Sequence, residues 1–327
     1  MGSSTGHDET SRSRVLITGA SGFAGRHLVG QLIASTNWEL TGLQAHATSP
    51  VRGVQMLVCD LLDAELTARV INRQRPDIIF HLAAQAFVPQ AVAKPAETIV
   101  NNVVSQVNLL EACRKATLDP IIVVVSSADI YGDVPSDRSP IIEQQPFRPR
   151  NPYAVSKATQ DLLGLQYFLS YQMRIVRVRP FNHIGPGQSD RFVVSSLARQ
   201  IAEIEAGRAD PVLLVGNLEA WRDFLDVRDV VRAYQLVARE EFAGEVFNVA
   251  SGVARPIRTV LEQLLSLSTS SVDVREDPTR LRPSDIPSLV GDASKLRAAV
   301  RWEPTVTFEQ SLADTLDAWR RLIGSTF

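Results

Sequence analysis

Cysteine is scarce in this chain: Cys59 and Cys113 are the only two among 327 residues. A small secreted fold stapled by disulfides is therefore excluded. Excess charge of either sign is lacking too. Lys and Arg number 34 and Asp and Glu 36, a formal net charge of -2. The broad basic surface on which binding a nucleic-acid polymer depends is missing, so no nucleic-acid partner is expected. No apolar run approaches the ~20 residues that span a bilayer, and the longest aliphatic stretch, Ile121 to Val125, is strand-sized. Met1 to Arg14 are polar and aperiodic, without the apolar core of a secretory signal. Residues 1–13 thus read as a disordered lead-in, and the protein as cytoplasmic and free of membrane. Internal repeats and low-complexity segments are also lacking. What is present is an ordinary globular composition, 45% hydrophobic and 21% charged, in a chain long enough for two domains and a ligand cleft.

The first informative segment is Val15-Leu16-Ile17-Thr18-Gly19-Ala20-Ser21-Gly22-Phe23-Ala24-Gly25. A short aliphatic run enters three evenly spaced glycines, and Arg26 to Ala34 then shows helical apolar spacing at Leu28, Leu32 and Ile33. Glycine suits each position for its own reason. Gly19 lets the chain turn sharply off a strand, Gly22 lets the backbone approach a pyrophosphate at the positive end of a helix, and Gly25 lets helix and strand pack closely. Downstream, strand signals at Glu39–Leu43, Gln55–Val58, Ile78–His81 and Ile121–Ser126 alternate with helical spacing at Asp63–Arg75 and Val100–Lys115. Pro76, Pro95 and Pro120 punctuate the boundaries. Such alternation predicts an α/β fold with a doubly wound parallel sheet.

Tyr153-Ala154-Val155-Ser156-Lys157 puts a tyrosine and a lysine on one helix face, behind an Asn151-Pro152 helix start. A phenol ionises near ~10, and a neighbouring ammonium favours the phenolate. Tyr153 is therefore suited to exchange a proton with a sugar or alcohol oxygen. Ser127, ending a strand in Ser126-Ser127-Ala128-Asp129-Ile130-Tyr131-Gly132, offers a hydroxyl to orient the same oxygen. Tyrosine and lysine at this spacing recur on ordinary amphipathic helices. Their conjunction with the glycine turn and the strand-ending serines is what points to an oxidoreductase-type site.

The G-x-x-G-x-x-G spacing, together with Cys59-Asp60-Leu61-Leu62-Asp63, His81-Leu82-Ala83-Ala84-Gln85-Ala86 and the Tyr153/Lys157 pair, resembles the extended short-chain dehydrogenase/reductases, the NAD-dependent epimerase/dehydratase family. The resemblance implies a Rossmann domain holding NAD(P)(H) against Gly19, Gly22, Phe23, Ala24, Gly25, Asp60, Leu61, Leu82, Ala83, Ala84 and Pro180, with Tyr153 and Lys157 beside the nicotinamide ribose. In it Asp60 hydrogen-bonds the adenine amino group. Capping of the helix near Asp63 is the other reading of that residue. His81 and Asn102 read as structural hydrogen-bonding groups. After the second strand, Gly42-Leu43-Gln44-Ala45-His46-Ala47-Thr48 offers neither the acid typical of NAD binding nor the arginines typical of NADP binding, so both cofactors stay open.

Three later segments are similar to the nucleotide-sugar branch of that family: Arg179-Pro180-Phe181-Asn182-His183-Ile184-Gly185-Pro186-Gly187, the run from Val215 to Val230, and Leu281-Arg282-Pro283-Ser284-Asp285-Ile286-Pro287. The resemblance implies that Gln85, Asn182 and Asn217 contact the sugar nucleotide, that Arg222 and Arg282 grip its diphosphate, and that Asp285 binds ribose hydroxyls. A surface ion pair of Arg222 with Asp223 or Asp226 is the alternative. The implied activity is NAD(P)H-dependent reduction of the C4 ketone of a GDP-linked 4-keto-6-deoxysugar, with Ser127, Tyr153 and Lys157 as catalytic group and Asp129 as an added member. Nucleotide-sugar 4-epimerisation, 4,6-dehydration, and a non-catalytic dinucleotide-sensing role are the alternatives. Dehydratases usually place threonine, then glutamate two residues on, where this chain has Ser127 and Asp129, which disfavours dehydration. No metal enters the set. The family pattern further implies a dinucleotide domain of 14–180 plus about 222–250, a smaller mixed substrate domain of 181–221 plus 251–327, and a homodimer through helices 100–115 and 153–171.

Overall fold

The computed structural model describes residues 12–47, 50–135, 138–280 and 286–324. Most of the expected lead-in, together with Arg282 and Asp285, lies outside the described residues.

The chain runs β1 (Arg14–Thr18), α1 (Phe23–Ser35), β2 (Glu39–Gln44), β3 (Gln55–Val58), α2 (Ala64–Gln74) and β4 (Ile78–His81). The short α3 (Val88–Ala93) and α4 (Pro95–Ile99) follow, and α4 continues through a wide helical turn at Val100–Val104 into α5 (Ser105–Lys115). Next come β5 (Ile121–Val125), α6 (Pro152–Tyr171), β6 (Ile175–Pro180), β7 (Asn182–Ile184), α7 (Val193–Glu205), β8 (Val212–Val215) and β9 (Trp221–Asp226). The remainder is α8 (Val227–Val237), β10 (Val246–Val249), β11 (Ala254–Pro256), α9 (Ile257–Ser266), β12 (Asp273–Glu276), β13 (Ser288–Leu289), α10 (Ser294–Val300) and α11 (Phe308–Gly324).

Seven parallel strands form the main sheet in the order β10-β6-β5-β4-β1-β2-β3. Strand alternation builds its two faces. Val15, Ile17 and Val123 enter one apolar cluster with α1 and α8, whereas Leu16, Ile122 and Val124 enter the opposite one with α2 and α5. The order winds outward in both directions from β1. That leaves a crevice beyond the carboxyl ends of β1 and β4, the switch point where ligands of such sheets bind. On α1 the expected apolar stripe shifts slightly, with Val29 buried and Ile33 exposed.

A smaller unit packs α7, α9 and α11 around its own core. Its sheet joins β11, β9 and β13, with β7 also pairing β9. Segment 222–250, expected with the dinucleotide domain, is thus shared: β9 lies in the small sheet, and the chain rejoins the large one with α8 and β10. The physical reason is the fully buried Asp223 on β9. Its carboxylate accepts from Ser251 N at 2.8 Å, Ser251 Oγ at 2.6 Å, Gly252 N at 2.9 Å and Gly291 N at 3.2 Å, which holds three segments of the small unit together.

The seam between α6 and β6 rests on another buried carboxylate. Asp161 accepts from Arg177 Nη1 at 3.1 Å and from Arg179 Nε and Nη2 at 2.8 and 2.9 Å, with all three residues buried. Gly164 makes room, since a Cβ there would lie 3.2 Å from Arg177 Cγ. Removing one partner of such a group strands the opposite charges in a dry site. Asp161→Ala is expected to lower the unfolding free energy by about 3–5 kcal/mol, read from the urea midpoint and slope; an unchanged midpoint would refute this account of the seam.

Candidate active site

The site grows from the turn after β1. Gly19 sits at φ 70°, in the left-handed region, and a Cβ there would press on Ala83 N at 3.0 Å. A Cβ at Gly25 would collide with the Gly19 carbonyl and the Ala20 backbone. Glycine is therefore required at both places, by conformation at the first and by helix-to-strand contact at the second. Gly22 starts α1 without a side-chain cap, and the first turn, with Phe23 and Ala24, holds no acid. Its N–H groups and positive dipole end are left to face an anion. This cradle fits the pyrophosphate of a dinucleotide.

The neighbouring loop after β4 is braced from below. Thr18 Oγ1 accepts from Ala83 N at 3.0 Å and lies 2.9 Å from His81 Nδ1. Burial, reinforced by the Lys157 charge, pulls His81 down to about 3, so the ring is neutral. Asn102, in the wide turn before α5, accepts from Gln85 N at 2.7 Å and donates to Gln85 O at 3.1 Å and Ser156 Oγ at 2.9 Å. Leu82, Ala83 and Ala84 are half-buried along the crevice. The Gln85 amide donates to Phe87 O and Thr98 Oγ1 and accepts from Phe87 N.

Asp60 is exposed and accepts from Leu62 N at 3.0 Å, beside the buried Leu61. The cap of α2 is Asp63, which accepts from Leu66 N at 2.9 Å. The carboxylate of Asp60 is thus not spent on the helix end.

Beside the ends of β5 and β6, Asn151 caps α6 by accepting from Ala154 N at 2.8 Å, with Pro152 at the first helical position. The helix brings Tyr153 to Ser127, whose hydroxyl hydrogen-bonds the phenol. Burial and the Asp129 carboxylate raise the Tyr153 pKa above its ordinary value, and the Ser127 bond opposes them in part. Ser127 Oγ also accepts from Asp129 N at 3.2 Å, which fixes the turn after β5. Lys157, only 4% exposed, donates to Val125 O at 2.6 Å and Gln160 Oε1 at 2.8 Å. Burial pulls its pKa down to about 7, against the pull of Asp161 toward the ammonium.

Pro180 is buried at the end of β6. Asn182, just beyond it on β7, keeps a buried Oδ1 without a hydrogen-bond partner, which suits an incoming donor. Phe23 stacks on His183 with ring centroids 5.9 Å apart, joining the glycine turn to that segment. Asn217 is exposed and accepts from Glu219 N at 2.9 Å. Arg222 donates to Trp221 O at 2.8 Å and Ile286 O at 2.7 Å. Asp223 is engaged by the backbone donors already described, and Asp226 by Arg228 at 2.8 Å, so the expected alternative pairing of Arg222 finds both carboxylates occupied. The sequence reading missed Gln160 and Asp161, both buried on α6. Helical spacing from Lys157 was the one signal that could have pointed to them.

Fold and site together define an oxidoreductase-type enzyme of the doubly wound class. The family model for GDP-mannose 4,6 dehydratase matches residues 16–315, and the chain belongs to that family. It is 38% identical to the GDP-6-deoxy-D-mannose reductase of Pseudomonas aeruginosa, over 94% of this chain and 97% of that protein. It is 29% identical to the UDP-glucose 4-epimerase of Mycolicibacterium smegmatis, over 94% of this chain and 98% of that one. Among solved structures, RMD from Pseudomonas aeruginosa complexed with NADPH superposes with a TM-score of 0.84 at 36% identity, covering 95% of this chain and 99% of that one. The Thermus thermophilus UDP-glucose 4-epimerase complex with NAD gives a TM-score of 0.84 at 32% identity, covering 94% and 99%.

His81 also makes a prediction about acid. Its folded pKa of about 3 lies below the ordinary 6.5, so the unfolded chain takes up a proton that the folded chain refuses. The contribution of His81 is intact above about pH 6.5 and is lost as pH falls toward 3. Urea unfolding midpoints are expected to decline through that window, and to decline less in His81→Gln; equal declines in both proteins would contradict the assignment.

Proposed function

We propose that this enzyme reduces the C4 ketone of a GDP-linked 4-keto-6-deoxysugar, such as GDP-4-keto-6-deoxy-D-mannose, to a GDP-6-deoxyhexose of the GDP-D-rhamnose kind. Gly19, Gly22 and Gly25 with the start of α1 hold the pyrophosphate of NADH or NADPH, and Asp60, Leu61, Leu82, Ala83, Ala84 and Pro180 flank the rest. When bound, the reduced nicotinamide supplies hydride for C4. Ser127 orients the ketone, Tyr153 donates a proton to O4, and Lys157 holds the nicotinamide ribose and favours the phenolate left behind. The direction of reaction rests on the likeness to the Pseudomonas aeruginosa GDP-6-deoxy-D-mannose reductase. A Tyr153 phenol whose pKa is raised by burial and by the charge of Asp129 fits a proton donor that starts protonated. A ketone reductase needs that form at the outset, whereas oxidation of an alcohol begins from the phenolate. The guanine nucleotide and the sugar rest on the likeness to the Pseudomonas aeruginosa reductase. Asn182 and Arg222, with Arg282 and Asp285 from the segment beyond Arg280, would bind the sugar nucleotide.

The same reading divides the chain into a dinucleotide domain and a substrate domain exchanging segments near 180, 227 and 250. It makes the protein a cytoplasmic homodimer with no nucleic-acid partner. The dimer reading is supported by apolar side chains exposed along α4 to α6: Val100 at 49%, Leu162 at 53% and Leu169 at 63%. Among the described residues no helix is long and apolar enough to cross a membrane.

Purified protein is expected to oxidise NADH or NADPH only when the keto-sugar nucleotide is added, with the C4 alcohol identified by NMR. No turnover with either cofactor would sink the reading, and conversion of an unoxidised GDP- or UDP-sugar without net cofactor use would replace it with epimerisation or dehydration. Tyr153→Phe should lower kcat by ~10²–10⁴-fold while nucleotide binding, followed by calorimetry, stays intact; an unaffected rate would remove Tyr153 from the role of proton donor.

A further inference from the structure

We propose that Gln160 is a positioning residue for Lys157, its side-chain amide coupling the lysine through His81 and Thr18 to the dinucleotide turn. The inference rests on Lys157 and Tyr153 acting as proposed above. Gln160 lies one helical turn beyond Lys157, fully buried, with its backbone carbonyl accepting from Gln106 Nε2 at 2.8 Å.

Donor logic fixes the orientation of every group in the relay. An ammonium has protons to give and no lone pair to offer. The partner of Lys157 Nζ at 2.8 Å must therefore be the amide oxygen of Gln160. That leaves the amide nitrogen facing His81 Nε2 at 3.3 Å, and because an amide nitrogen donates, this ring nitrogen is the acceptor. Neutral His81 then carries its proton on Nδ1 and donates to Thr18 Oγ1 at 2.9 Å. Thr18 Oγ1 accepts from Ala83 N at 3.0 Å as well, and Ala83 is the residue against which Gly19 packs. Thr18, His81 and Gln160 are at most 1% exposed, so bulk water does not compete for these bonds.

The consequence concerns the charge on Lys157. Burial favours its neutral form, and the groups facing it are Asp161 on α6, neutral His81 on β4 and the Val125 carbonyl on β5. Gln160 Oε1 supplies the second neutral acceptor for the ammonium. An apolar side chain in its place would leave the ammonium less supported and make it lose its proton at lower pH.

The test compares wild type, Gln160→Leu, Gln160→Glu and Lys157→Met in steady-state pH profiles with NADPH and GDP-4-keto-6-deoxymannose. Long-range proton–nitrogen NMR of the His81 ring, in protein free of nucleotide, accompanies them. Wild type should show His81 protonated at Nδ1. Gln160→Leu should lower kcat by roughly tenfold or more, with the KM for the sugar nucleotide nearly unchanged and the basic limb moved to lower pH. Gln160→Glu keeps an acceptor and adds negative charge, so its basic limb should move to higher pH. His81 protonated at Nε2 in wild type overturns the relay. If Lys157→Met is inactive while Gln160→Leu keeps the wild-type kcat and basic limb, the role of Gln160 fails and that of Lys157 stands. Full activity in Lys157→Met overturns the catalytic reading and the relay with it. Should Gln160→Leu fail to fold, an unmoved basic limb in Gln160→Glu overturns the proposal by itself.

Discussion

Asp161, held at 2.8–3.1 Å between Arg177 and Arg179, fixes where α6 lies against β6, and with it where Tyr153 and Lys157 stand. The network does not stop at the pair. Arg179 Nη1 also donates to Tyr131 OH and to Glu143 O, Tyr131 OH donates to Asn248 Oδ1, and Asn248 N donates to Glu143 Oε1. Helix α6, strand β6, the edge strand β10 and the segment after β5 thus share one set of buried donors and acceptors. Taking three charges out of water is expensive and is offset only when their remaining hydrogen-bonding capacity is met. A shift of α6 by one residue would break several of these bonds at once, whereas a purely apolar seam would tolerate it.

The parts of this architecture written locally are those the sequence discloses. Glycine spacing discloses the turn at Gly19 because backbone conformation and close approach are properties of single residues. The Tyr153 and Lys157 pair is legible because a helix places them on one face whatever the rest of the chain does. Strand spans were close for the same reason, since β1, β4 and β5 carry unbroken apolar runs. The contacts that orient these groups were not legible. Gln160 meets His81 across 79 positions of sequence and Arg179 meets Tyr131 across 48, and no periodicity encodes such pairs. Gln85 carries a contact of the same hidden kind: its amide closes a loop on Phe87 and Thr98, which its motif did not disclose.

The two walls of the crevice are built by different means. One is an extension of the large sheet, where rigid strand ends and one helix start define positions for a dinucleotide. The other comes from the smaller unit, where Asn182 and Arg222 sit on short strands whose geometry depends on buried carboxylates such as Asp223. Neutral His81 and depressed Lys157 belong to the first wall and the aromatic stack of Phe23 on His183 crosses between them. The dinucleotide side and the substrate side are thus held by separate sets of buried groups, Thr18 and His81 on the first and Asp223 on the second.

The clamp at Asp223 has a consequence for the order in which a ribosome delivers the chain. Its donors at Ser251 and Gly252 follow 28 and 29 positions later, and that at Gly291 follows 68 positions later. At a synthesis rate of ~5–20 residues per second, the last of these emerges roughly 3–14 s after the carboxylate itself. Until then β9 exposes a carboxylate that belongs in a dry interior, so the clamp of the smaller unit stays open during translation while β1 to β5 already have their neighbours. The substrate side of the crevice therefore waits on chain that is made well after β9 itself.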